Sequence, residues 1–229
     1  MTDTPAAAGT QAPRRTRGAA PLAGAALALL LAVAGCTDAG GDRGDGTAEA
    51  AAPRAVDVTG PLCEQLPAGT EPGNPDSLAD QPADQALQWI PVLTTFEAAV
   101  RASGLAAELS GATDVTILAP TDDAFAAKFS RSHLDELLLH DTDTLRTLLR
   151  DHVVTGALPV AELAAAGTVT TLAGTSLTVT AHDAGARVGG RADTVCADYQ
   201  AAGARIHVIN QVLGALPTTA GDEDDHPAH

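Results

Sequence analysis

Few side chains in this chain of 229 residues are placed to do chemistry. Asp151 precedes His152, and a carboxylate beside an imidazole is the smallest unit of general acid–base catalysis; Asp123 is the other acid such a histidine would use. His152, however, closes the series Leu145, Leu148, Leu149, His152, which follows the i, i+3, i+4, i+7 spacing of one helix face. On an apolar stripe, a histidine is expected to be a hydrogen-bonded core residue. Asp141-Thr142-Asp143 has the spacing of a metal-binding D-x-D, but it opens a helix, where acids cap. Gly174-Thr175-Ser176 begins a G-x-S-x-G nucleophile turn and lacks its second glycine. Asp38, Asp42 and Glu49 occupy three ligand positions of a calcium loop, with Arg43 where that loop needs glycine. Asp222, Glu223, Asp224 and Asp225, with His226 and His229, can hold a divalent ion loosely but read as a solvated tail. Phosphate-cradling glycine loops, H-E-x-x-H and C-x-x-C do not occur in the sequence. These residues predict no catalyst, no metal and no cofactor.

The cysteines divide into two uses. Arg14, Arg15 and Arg17 precede an apolar run from Ala19 to Gly35, the order of an export signal. The run ends Leu31-Ala32-Val33-Ala34-Gly35-Cys36, which resembles a bacterial lipoprotein signal, whose cysteine is diacylated and becomes the mature N-terminus. Residues 36–56 are then a tether of Gly, Ala, Asp and Thr with no apolar period, too polar to bury a core. Its Arg43-Gly44-Asp45 spells an integrin-type tripeptide that arises easily by chance in such composition. Cys63 and Cys196 remain, and an even pair in an exported protein implies a disulfide. A formal charge of −16 repels phosphate backbones, so nucleic acid is excluded as a partner.

Alternating and helical periods supply the elements. Val115 to Ala119 reads as a buried strand, Pro120 ends it, and Thr121 and Asp122 begin a helix with Asp123 adding negative charge to its first turn. Phe125 and Phe129 share a face of that helix. Upstream, one short helix is expected near Asp76 to Ala79, an amphipathic helix over Pro91 to Ala102, and a further turn over Leu105 to Leu109, with Trp89 in the core. Downstream, Ser132 with Asp135 approximates a capping box for a helix carrying Leu134, Leu137 and Leu138, and Asp141 to His152 forms another. Pro159 to Gly167 is a short helix. Thr168 to Thr180 reads as a hairpin around Ala173-Gly174-Thr175, and short strands follow near Ala186–Val188, Thr194–Cys196 and Arg205–Ile209.

Three ordered stretches together resemble the fasciclin domain. Thr116 to Phe125 (T-I-L-A-P-T-D-D-A-F) resembles its first homology segment, Asp151-His152-Val153-Val154 its tyrosine–histidine segment, and Gly203 to Leu213 (G-A-R-I-H-V-I-N-Q-V-L) its second. The resemblance covers roughly residues 60–217. Thr121, Asp122, Asp123, Asp151, His152, His207 and Asn210 are the positions it marks as structural or interaction residues; Asp151 replaces the family's tyrosine and Asn210 its usual aspartate. The Gly60-Pro61-Leu62-Cys63 opening and Val195-Cys196 further resemble secreted and lipid-anchored fasciclin antigens of mycobacteria.

The resemblance implies an α+β fold, a β-sandwich wedge with helices packed at one end, over residues 57–217, followed by an acidic tail at 218–229. It further implies a monomeric, non-enzymatic protein on the extracytoplasmic face of a membrane or released from it, interacting with a surface protein or polysaccharide. A carrier holding a lipid or other hydrophobe between helices and sandwich is the alternative, and an enzyme built on His152 a third reading. Mass spectrometry of the protein extracted from its own membrane is expected to find diacylated Cys36 at the N-terminus; an unmodified Cys36, or cleavage elsewhere, would remove the anchor.

Overall fold

A computed structural model describes residues 56–221. The export signal, Cys36, the tether up to residue 55 with its Arg43-Gly44-Asp45, and the acids and histidines from Asp222 onward lie outside the described residues.

Seven strands form one sheet. In chain order they are β1 (Val115–Pro120), β2 (Val153–Thr155), β3 (Thr168–Thr170), β4 (Ser176–His182), β5 (Gly185–Val188), β6 (Ala192–Ala201) and β7 (Ala204–Ile209). Across the sheet the order is β2-β1-β7-β6-β5-β4-β3. Every neighbouring pair is antiparallel except β1 and β7, which run parallel in the register Val115↔Ala204 to Pro120↔Ile209. The two ends of the sheet nearly meet, since Val154 bridges Thr171 and the Leu172 N–H donates to the Val153 carbonyl at 2.7 Å. The expected sandwich is therefore one sheet bent on itself.

Period-two alternation divides the apolar residues between two cores. Along β1, Ile117 and Ala119 face the helices while Leu118 faces the inside of the bend; along β7, Ile206 and Val208 pair with the first core and Ile209 with the second. Both faces of these strands are covered, which is why they read as apolar runs. The hairpin strand β4 buries Leu177 and Val179 in the bend and leaves Ser176, Thr178 and Thr180 exposed.

Eight α-helices complete the described chain: α1 (Pro75–Leu78), α2 (Ala83–Ala86), α3 (Thr94–Ala102), α4 (Ala106–Ser110), α5 (Asp122–Lys128), α6 (Arg131–Leu139), α7 (Thr142–Arg150) and α8 (Val160–Ala165). Phe96 of α3, Phe125 of α5, and Leu145 and Leu149 of α7 are fully buried in the core that includes Ile117, Tyr199 and Ile206. Cys63 and Cys196 form a disulfide across 133 positions, tying the start of the domain to β6. Closing a loop that long stabilises by about 5 kcal/mol in the chain-entropy model.

Several local expectations change. Trp89 is 49% exposed, because it lies in a 3-10 turn whose Leu87 and Ile90 occupy the core positions. Ser130 caps α6 by accepting the His133 N–H at 3.3 Å, two residues ahead of the expected Ser132. Strand β6 spans ten residues where only three were legible, since register shifts between Thr194 and Cys196 and between Cys196 and Tyr199 break its alternation. The helix expected from Pro91 starts as a 3-10 turn, Pro91–Leu93, and becomes α-helical at Thr94.

Helix α3 has no side-chain cap of its own. Asp122, at the start of the adjoining α5, supplies one, accepting the Thr95 N–H at 2.7 Å and the Thr94 hydroxyl at 2.8 Å. The acid that the sequence places at the start of α5 thus also closes α3. Asp122→Ala is expected to lower stability by about 1–2 kcal/mol through that lost cap, with Asp122→Asn retaining part of it, read as the shift in urea midpoint; an unchanged midpoint would show the cap to be dispensable.

Candidate functional site

Parallel pairing of β1 with β7 decides which residues share a surface. The Thr121 N–H donates to the Ile209 carbonyl at 3.0 Å, so the turn entering α5 and the residue leaving β7 emerge side by side. Thr121 caps α5 by accepting the Ala124 N–H at 3.1 Å. Asn210 exchanges two bonds with Asp193 at the start of β6, its Oδ1 accepting the Asp193 N–H at 2.9 Å and its own N–H donating to the Asp193 carbonyl at 3.1 Å.

The disulfide then lays the segment from Gly60 to Gln65 against β6. Gly60 has φ +138°, and a Cβ there would run into the Val195 carbonyl, so this close approach requires glycine. Three concavities adjoin here, two of them lined by that segment and all three by Asn210. One of about 440 Å³ lies between Leu62, Gln65, Asp123, Ala127 and Val195. A second, of about 340 Å³, opens beside His182, Asp183 and Asp193. The third, about 360 Å³, is lined by Lys128, Arg191, Gln211, Val212 and Thr218.

Thr121, Asp123 and Asn210 are thus brought together on one open face. Asp122 is spent as a cap, and Asp151 lies elsewhere, at the C-terminal end of α7, accepting the Thr171 hydroxyl at 3.2 Å. Asp141 caps α7 through the Thr144 N–H, and Thr175 sits in the β3–β4 turn, so neither the D-x-D nor the incomplete nucleophile turn forms a site. Among the described residues no cluster of three or more His, Cys, Asp or Glu is arranged to hold a metal ion.

Sequence reasoning missed the groups of the second concavity. The Arg187 guanidinium grips Asp193 at 2.6 and 3.2 Å and holds its carboxyl below the ordinary value. The same guanidinium donates to His182 Nε2 at 2.8 Å, which requires that nitrogen to be unprotonated. Arg187 lies in an expected strand and Asp193 just ahead of the next, but their pairing as Cα partners depends on the β5–β6 register.

Both motif histidines point inward. His152 Nε2 accepts the Leu213 N–H at 2.9 Å, so its proton is on Nδ1, which donates to the Leu148 carbonyl at 2.9 Å. His207 uses the opposite tautomer: Nδ1 accepts the Asp198 N–H at 3.1 Å and Nε2–H donates to the Leu158 carbonyl at 2.9 Å. Both rings are fully buried and have no nitrogen left for substrate. Asp198 adopts φ +73° at the β6 irregularity, and its carboxylate caps α8 through the Val160 N–H at 2.8 Å.

Burial pushes His152 down from 6.5 to about 4, and burial likewise lowers His207. A depressed histidine lets the unfolded chain bind the proton first, so its contribution is full above about pH 6.5 and is lost as pH falls from there to about 4. For His152 this amounts to about 3 kcal/mol across the window. Urea midpoints are expected to fall steeply between pH 7 and pH 4, with the slope reduced in His152→Gln; an identical slope in that variant would mean another group carries it.

The model of the fasciclin domain matches residues 91–216. Protein sll1483 of Synechocystis is 38% identical over 120 residues, covering 52% of this chain and 66% of that protein. The transforming growth factor-beta-induced protein ig-h3 of Sus scrofa is 34% identical over 136 residues, 58% of this chain and 19% of its own length. A fasciclin domain pair from the insect cell adhesion molecule fasciclin I has 23% identity, a TM-score of 0.42, and coverage of 54% of this chain and 45% of its own. The chain therefore spans less than two thirds of each of these relatives. With the family model matched over more than half its length, this chain belongs to the fasciclin domain family.

Proposed function

We propose that the protein is an extracytoplasmic lipoprotein, held to a membrane through acylated Cys36 and a tether over residues 36–56, which presents its fasciclin domain for adhesion to a protein or polysaccharide. The observation that carries this reading is the division of the family's marked residues. Thr121, Asp123 and Asn210 line an open face, whereas His152 and His207 are saturated in the interior. Such a face suits recognition by surface contact, and it places neither histidine where a reaction needs it. Among the described residues no helix is long and apolar enough to cross a membrane.

The carrier reading places a hydrophobe between the helices and the sheet. Phe96, Phe125, Leu145, Leu149 and Ile206 occupy that layer and are fully buried, which favours surface recognition over carriage. Purified protein is expected to bind an immobilised extracellular-matrix protein or cell-surface polysaccharide saturably. Asp123→Lys and Ala127→Glu should each weaken that binding about tenfold or more, a loss of at least about 1.4 kcal/mol, without changing Tm. Unchanged binding in both would move the recognition surface elsewhere, and a hydrophobic adduct in the native mass spectrum would favour the carrier.

A further inference from the structure

Cations are scarce in this acidic chain, and four of the described ones are matched by acids. Arg101 pairs with Glu97, Arg146 and Arg150 with Glu108, and Arg187 with Asp193. Among the described residues Lys128, Arg191 and Arg205 have no carboxylate partner, and of these Lys128 and Arg191 line the same concavity of about 360 Å³. They reach it from distant parts of the chain, Lys128 from the last turn of α5 and Arg191 from the turn between β5 and β6.

Arg191 is held in place. Its Nη2 donates to the Val212 and Gly214 carbonyls at 3.2 and 3.1 Å, which fixes one edge of the guanidinium and leaves its other nitrogens without partners among the described residues. Partial burial, and then the nearby Arg191 charge, hold the Lys128 pKa below its ordinary value. Lys128 favours the negative end of its own helix, but two like charges in one pocket oppose each other until an anion joins them. Asp123 opens onto the neighbouring concavity and Asp151 Oδ1 accepts from Thr171, and neither forms an ion pair with Lys128 or Arg191.

Uncharged donors surround the pair. With Asn210 Oδ1 accepting the Asp193 N–H, its amide nitrogen is unspent, and the Gln211 amide and Thr218 hydroxyl have no partners among the described residues. Ala124, Ala127 and Val212 complete the lining with apolar surface. The volume falls within the range of small-molecule sites and exceeds what a bare oxyanion fills. We propose that this pocket binds an anionic sugar, with Lys128 and Arg191 on its carboxylate or phosphate and Asn210, Gln211 and Thr218 on its hydroxyls. The inference rests on the surface-recognition reading and names the ligand class it takes.

Calorimetric titration of the full chain at low salt, using glucose 6-phosphate, glucuronate, glucose and inorganic phosphate, tests it. Saturable one-to-one binding is expected for the two anionic sugars, with inorganic phosphate at least tenfold weaker and glucose unbound. Lys128→Gln should weaken both anionic sugars at least tenfold while leaving Tm unchanged or raised, because it relieves repulsion; a merely structural lysine would lower Tm. Arg191→Gln should do the same to binding, and Lys128→Gln decides the matter if loss of the Val212 and Gly214 contacts unfolds that variant. No saturable binding of either anionic sugar, binding untouched by Lys128→Gln, or phosphate bound as tightly as glucose 6-phosphate would each overturn the proposal. So would binding that emerges only when Asp222, Glu223, Asp224 and Asp225 are all neutralised, which would assign the pocket to the chain's own acidic tail. If adhesion survives while anionic sugars fail to bind, the surface reading stands without this site. Loss of adhesion with sugar binding intact would do the reverse.

Discussion

The parallel pairing of β1 with β7 is the constraint on which the rest of this domain depends. It joins segments nearly ninety positions apart, from Val115↔Ala204 to Pro120↔Ile209, and in doing so links the β2–β1 edge of the seven-stranded sheet to the antiparallel run from β7 to β3. Parallel neighbours cannot be linked by a tight turn, so the chain between them must supply a long connection. Here that connection comprises four helices and the strands β2 to β6, which together with the helices before β1 bury both faces of the pair. The same register puts Thr121 beside Ile209 and hence opens the Asn210 face.

Polar groups within this frame act as fasteners between elements. His152 joins the end of α7 to the segment after β7, and His207 joins β7 to the approach to α8 and to the irregular part of β6. Each ring uses one nitrogen as donor and the other as acceptor, so each is satisfied only in its neutral form. Asp122 closes α3, Asp198 closes α8, and Arg146 and Arg150 tie α7 to Glu108 of α4. These polar side chains therefore connect distant parts of the chain, and both ring nitrogens of each buried histidine are consumed in doing so.

The surface follows a different logic. Four of the described arginines are paired with acids, and Lys128 and Arg191, which are not, lie beside Asn210, where the disulfide-held N-terminal segment, α5 and the residues after β7 converge. Recognition on this face would be set by loops and helix ends held in place by the sheet, the arrangement in which binding residues are commonly carried. Membership of the family alone assigns no partner, since one fold supports many functions.

Local sequence determined the parts that depend on near neighbours: the β1–α5 turn with its Thr121 cap, the apolar stripe of α7 with His152 at its end, the β3–β4 hairpin, and the ordered segments that mark the family. It also foresaw the Cys63–Cys196 pair by counting. Tertiary structure decided everything that turns on which distant residues meet. Asp122 reads as a dipole-favouring acid at its own helix and becomes the cap of another; Trp89 reads as core until Leu87 and Ile90 take the inward positions. Strand β6 lost its signal to its own bulges, and Lys128 and Arg191 carry no joint pattern at 63 positions apart. Periodicity reports which face of an element is buried; only the packed chain determines what lies against it.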